Sequence, residues 1–329
     1  VVNAGDRAPG FDARMAMLAG FLDRFLLPLV LICAAVGVAF PAPGRVLADH
    51  GAILPTLAVL VFSTGSAITF AEFGQVRHAL RRMTLVLATT TVVLPLLAWL
   101  ASRLVSVASL RGGVLAAGVA PAEVASVALT GLAGGEVVVA AVLLTASTLL
   151  TVLVAGPILG LLGGHSSISQ LALLSTLALV VALPLIVGST IRTIDPFGGR
   201  DRTLVDVLAV ISLLVLLWEI ASQLRLHAAY GVVAAALLAF LAGAGVLGWL
   251  LAVGAPARQR VAVVLPTAMR DFAVAAGIAA SAFGVAAAAP LGIYGVMVLA
   301  FGAVAVRLSK RRPGRTEDGT GATAADSLG

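Results

Sequence analysis

Ala120-Pro121-Ala122-Glu123-Val124-Ala125-Ser126-Val127-Ala128-Leu129-Thr130 places a proline and a carboxylate inside a run that is otherwise almost wholly apolar. Without them the run would read as one ordinary membrane-spanning helix. Pro121 has no N–H and its ring clashes with the preceding turn, so the helix is expected to open there and free backbone carbonyls. The same kind of interruption recurs late in the chain, at Pro266-Thr267-Ala268-Met269-Arg270-Asp271. Two broken hydrophobic segments, one in each half, are the sequence pattern of a transporter with its binding site near the bilayer midplane.

Composition supports a membrane solvent. Hydrophobic residues make up 60% of the 329 positions and charged residues 11%, and the mean hydropathy is +1.12. A soluble domain averages about 25% charged residues. The single cysteine, Cys33, excludes a disulfide framework and a cysteine-rich metal site. The net charge of +6 is not a nucleic-acid patch, because the basic residues fall in the short connections between apolar runs. Asp23 and Arg24 ahead of the first run, with no small-residue cleavage site after it, argue against a removed signal peptide.

Apolar runs fall at about 25–40, 52–70, 83–101, 112–133, 137–162, 170–191, 204–222, 228–253, 260–282 and 287–307. At roughly 20 residues per crossing, they predict an all-α polytopic membrane protein of ten transmembrane helices. Residues 1–16 and 313–329 are polar and small, and are expected to be disordered tails. With the N-terminus in the cytoplasm, Arg7, Arg14, Arg24, Arg77, Arg81, Arg82, Arg192, Arg200, Arg202, Arg258, Arg260, Arg307, Lys310, Arg311, Arg312 and Arg315 lie inside. Only Arg45, Arg103, Arg111 and Arg225 lie outside. That asymmetry predicts a multi-pass protein of the cell membrane with both termini cytoplasmic. The runs divide at His165-Ser166-Ser167 into a first five-helix repeat, 17–163, and a second, 170–309. An odd number of helices per repeat inserts the second upside down. The interruptions then fall in helices 4 and 9, which are expected to be broken and to cross.

Ionisable residues in mid-membrane cost roughly 2.5–3.5 kcal/mol each and usually face a cavity or a partner. Glu123, Arg270 and Asp271 are the first candidates, either as a binding site or as a structural ion pair that lets two helices pass. Glu219 is read as structural, reaching the interface or pairing with Arg225. His50, His78, His165 and His227 lie in or beside loops, and no spacing suggests a metal site. Gly131 to Gly135 reads as a tight turn rather than a phosphate loop, because no strand precedes it.

The stretch from Pro121 to Glu136 resembles the fourth-helix signature of the bile acid:sodium symporter family, and Leu144 to Leu150 is similar to that family's fifth helix. Gly65, Thr69 and Phe73 fit its second-helix pattern, and Pro95 its third. The resemblance spans about 20–310 and is most specific over 121–150. It implies a core of helices 3–5 and 8–10 and a panel of helices 1, 2, 6 and 7. It also implies binding of substrate or coupling ion near Glu123, Ser126, Thr130, Thr145, Arg270 and Asp271, with Pro121 and Pro266 as the helix breakers.

The departures from that pattern are chemical. Family members that bind sodium commonly carry Asn after the matched Ser, where this chain has Val127. Fifth-helix hydroxyls are replaced by Ala140 and Leu144, with Thr145 and Ser147 nearby. In the ninth helix the carboxylate position is Pro266 and the Gln position is Arg270. A fixed guanidinium repels a cation, so Arg270 is expected to stand in for a bound sodium, or to hold an anionic substrate bidentately. Glu123, Arg270 and Asp271 sum to −1, which one proton would neutralise. The coupling ion is therefore sodium, a proton or none, and no cofactor is expected.

The function this predicts is secondary transport of a small organic anion across the bilayer, with no nucleic-acid partner. The alternative is a transport-inactive solute-binding or scaffold protein of the same fold. A membrane enzyme using Glu123 or Asp271 as general base lacks an accompanying nucleophile or metal motif.

Overall fold

In the computed structural model the described residues are 25–67, 74, 76–163, 169–194, 202–224 and 229–310. Both expected tails, the connection at His165, the positions Thr69 and Phe73, and Arg225 with His227 lie outside them. The helices are α1 (Leu26–Ala39), α2 (Pro41–Asp49), α3 (Ile53–Gly65), α4 (Leu80–Ser102), α5 (Ala108–Val119), α6 (Ala125–Leu132) and α7 (Val137–Gly163). They continue with α8 (Gln170–Ile194), which contains a π-helical turn at Ala178–Ala182. After it come α9 (Arg202–Ser222), α10 (Ala229–Leu251), α11 (Ala257–Ala268), α12 (Phe272–Phe283) and α13 (Ala289–Lys310).

Among the described residues each apolar run coincides with one helix or with a helix pair broken near its middle. α4, α7, α8, α9, α10 and α13 are long and apolar enough to cross a membrane. α1 and α2 qualify only together, as a pair bent by 88°. α3, α5 and α12 are apolar but shorter. Leucines and valines along α4, such as Leu85, Val92, Leu96 and Leu100, are exposed, as expected of helices whose outer surface meets lipid. The described residues are all-helical, and the protein is a membrane protein with several apolar helices.

The helices pack in two groups. α9 lies along α1, α2 and α3, and α8 joins that group through α3. In the other group α4 packs on α5 and α10, α10 on α11, α12 on α5, and α7 on α4 and α11. The groups touch where α8 meets α7 and α9 meets α13. Lipid supplies no hydrophobic drive between helices, so contact depends on small residues that let backbones approach. At the α3–α8 contact a Cβ on Gly65 would strike the Leu185 carbonyl, and one on Gly188 the Phe62 carbonyl.

Proline alone does not break these helices. Pro95 sits inside α4 and Pro157 inside α7, and both helices continue through them. Pro121 does lie in a break: it follows Ala120, whose φ −58°, ψ 155° is the extended geometry a following proline imposes. Pro266 is a correction. It lies inside the last turn of α11, which continues to Ala268, and the chain turns extended only at Met269 (φ −87°, ψ 109°). The Met269 N–H still reaches the Leu265 carbonyl at 2.9 Å, so the ring does not end the helix. The chain leaves the helix where it pairs with the other break.

Candidate functional site

The two breaks lie against each other as a two-residue antiparallel bridge, Ala122 opposite Arg270. The Glu123 N–H donates to the Met269 carbonyl and the Asp271 N–H to the Pro121 carbonyl, both at 2.9 Å. Breaking a helix inside a membrane strands polar backbone groups that water cannot reach. Here each break satisfies the other. The Ala122 N–H is taken up by the Ser147 hydroxyl at 3.1 Å, and the Arg270 N–H by the Tyr294 hydroxyl at 3.3 Å.

Successive residues of an extended segment point to opposite sides, and this sorts the charges. Glu123, Arg270 and Asp271 are 4%, 5% and 4% exposed. Asp271 caps α12, its Oδ1 accepting from the Ala273 and Val274 N–H groups at 2.9 Å. Glu123 Oε2 accepts from the Phe272 N–H at 3.3 Å, the next free donor of the same helix end. Both carboxylates therefore stand at the positive end of the α12 dipole. Arg270 turns the other way. Its Nη2 donates to the Ala120 carbonyl at the C-terminal end of α5, the negative end of that half-helix. The ion pair offered as one reading of Glu123 and Arg270 does not form: among the described residues no carboxylate oxygen lies within 4.0 Å of the guanidinium. Each charge is matched to a helix end instead.

Arg270 also lines two narrow clefts, of about 10 Å³ each, between α4, α7 and the breaks. Thr90 and Ser147 line both, and Thr267 lines the first. The Arg270 Nε and the Thr267 and Ser126 hydroxyl oxygens are buried without a hydrogen-bond partner among the described residues. Thr130 donates to the Ser126 carbonyl at 2.7 Å and Thr145 to the Ala141 carbonyl at 3.0 Å, so both hydroxyl protons are bound within their own helices.

Sequence reasoning singled out Thr145 on α7, whereas the hydroxyls that meet the breaks are those of Ser147 and Thr151. Thr151 donates to the Val119 carbonyl at 3.2 Å. Their four-residue spacing puts them on one helical face, a signal the sequence carried. Tyr294 and Thr90 had no local signal. Glu219 is 1% exposed, so its side chain is enclosed by the protein. Thr56 donates to its Oε1 at 3.5 Å, and its Oε2 has no partner among the described residues; Arg225 lies outside them. Gly134 adopts φ +75°, so the Gly131–Gly135 segment is a turn. At its end Glu136 meets His78 at 2.9 Å.

A helical membrane protein with two half-helix pairs meeting deep in its interior has the construction of a membrane transporter rather than an enzyme. The chain belongs to the Sodium Bile acid symporter family, whose model matches residues 54–235, just over half its length. That match includes the first break and ends before the second. No curated protein matches the chain.

Proposed function

We propose that the protein is a secondary carrier that moves a small organic anion by alternating access. In this reading ten spans form two inverted five-helix repeats, and both termini lie on the cytoplasmic side of the cell membrane. α5–α6 and α11–α12 are the crossing fourth and ninth spans. The observation that carries the reading is the sorting of charge at the junction: guanidinium at the end of α5, carboxylates at the start of α12.

Broken helices of carriers commonly offer C-terminal carbonyls to a cation. In this chain Arg270 already donates to such a carbonyl, and a sodium ion beside it would meet a fixed positive charge. The residues present therefore do not fit a bound sodium, and transport is not coupled to sodium in the way the family's name describes. A proton on Glu123 or Asp271 would bring the three charges from −1 to zero, which favours passage of the loaded site through a low-dielectric interior. Ser126, Thr130 and Thr145 complete the proposed binding set, each keeping an oxygen lone pair for a ligand.

The test is uptake into proteoliposomes with imposed gradients, using a panel of small carboxylates at fixed membrane potential. Uptake driven by a proton gradient, or by the solute gradient alone, is expected. Stimulation by a sodium gradient alone would overturn the substitution of Arg270 for the ion. Binding of a carboxylate with no flux under any gradient would favour the transport-inactive alternative.

A further inference from the structure

α4 ends beside a cleft of about 360 Å³, at the opposite end of that helix from His78. The floor of the cleft is apolar. The Phe283 ring lies there against Gly112, where an added Cβ would come within 2.7 Å of its carbons. Two guanidinium groups line the rim, Arg103 and Arg111.

Each guanidinium is oriented by the protein but not consumed by it. Arg103 stacks with its Cζ 4.4 Å from the Trp99 ring centroid, a contact that holds one face of the plane and leaves the N–H edge available. Arg111 donates through Nε and Nη2 to the Val105 carbonyl at 3.1 and 3.0 Å. That fixes its plane and leaves Nη1 without a partner among the described residues. Neither arginine has a carboxylate within 4.0 Å among the described residues. Ala108, at the first turn of α5, also lines the cleft, and the N-cap of that helix supplies no side-chain cap. The rim is therefore positive on three counts.

What sets this apart from a site for a soluble anion is the surface leading to it. Val92, Leu96, Leu100 and Leu104 recur at four-residue spacing along α4 and its exit, and all are exposed. They form an apolar stripe on the lipid-facing side that ends at the arginines. Trp99 adjoins its last turn, where a membrane–water boundary places tryptophan. We propose that this cleft binds the phosphate of an anionic membrane phospholipid between Arg103 and Arg111, with one acyl chain lying along the α4 stripe. The ligand chemistry is a phosphate monoanion, and the stripe assigns it to a lipid rather than to a free phosphate.

The experiment is native mass spectrometry of the full chain extracted from bilayers of equal phosphatidylglycerol and phosphatidylcholine. The same preparation is made for Arg103→Gln/Arg111→Gln and for Arg103→Lys/Arg111→Lys. The wild type should retain phosphatidylglycerol over phosphatidylcholine by on the order of tenfold, the effect of two basic side chains on an anionic headgroup. The Gln pair should bring the ratio to about one while its helical circular dichroism is unchanged, and the Lys pair should keep part of the preference. Should the Gln pair fail to fold, Leu100→Ser/Leu104→Ser must weaken lipid retention without altering either arginine. An equal ratio in wild type and variants would overturn the proposal. So would a thermal stabilisation by inorganic phosphate or glycerol 3-phosphate that matches the lipid and vanishes in the Gln pair, because the ligand would then be a free phosphate.

Discussion

Arg270 and Ala120 are joined across 150 residues of chain, the guanidinium of one break donating to the carbonyl that closes the helix before the other. The bond is buried, and the Arg270 backbone N–H is separately held by Tyr294. Arg270→Ala would leave the Ala120 carbonyl without a donor in a site with no bulk water. The expected cost is about 1–3 kcal/mol, seen as a lower thermal midpoint of the detergent-purified protein. Arg270→Lys should recover only part of it, since a compact ammonium lacks the fork geometry. A wild-type midpoint for Arg270→Ala would mean that the bond contributes nothing to stability.

Asp271 separates two roles that a carboxylate can play. As the N-cap of α12 it needs only an acceptor oxygen, so Asp271→Asn should keep stability close to wild type. Asp271→Ala should lose about 0.5–2 kcal/mol. If its charge takes part in coupling, Asp271→Asn should still abolish gradient-driven uptake in vesicles. Undiminished proton-driven uptake by Asp271→Asn would remove Asp271 from the coupling and leave Glu123.

Gly65 and Gly188 allow α3 and α8 to touch backbone to backbone. A methyl group at either would collide with a carbonyl of the other helix, and at Gly188 would also come within 2.8 Å of the Ser66 nitrogen. Gly65→Ala and Gly188→Ala are each expected to cost about 1–3 kcal/mol through overpacking. Gly231, in α10, is the control, because nothing lies within 4 Å of its added Cβ. Gly231→Ala should be neutral or should gain up to about 1 kcal/mol from helix propensity. Similar thermal midpoints for all three variants would refute the close-contact account.

Glu219 buries a carboxylate oxygen that has no partner among the described residues. Glu219→Gln keeps an oxygen for the Thr56 hydroxyl and removes a buried charge while leaving an amide N–H in its place, so the thermal midpoint should rise. A fall in the midpoint would show that the acidic group is engaged in a way the Thr56 contact does not describe.

The sequence by itself determined the membrane solvent, the positions of the apolar runs and the existence of two interruptions, because hydropathy and proline act over a few neighbouring residues. It placed Pro121 in its break and marked Glu123, Arg270 and Asp271 as the charges to explain. Their arrangement was not legible. An ion pair was a natural reading of opposite charges in lipid, yet the three groups are matched to helix ends, because pairing the two breaks turns alternate residues to opposite sides. Pro266 was read as a breaker although its helix continues two residues further, to Ala268, and the chain turns extended only where Met269 meets Glu123. Ser147, Thr151 and Tyr294 entered the site for the same reason. Which carbonyls and N–H groups are left unsatisfied is known only once two distant segments meet, and in a membrane every one of them has to find a partner within the protein.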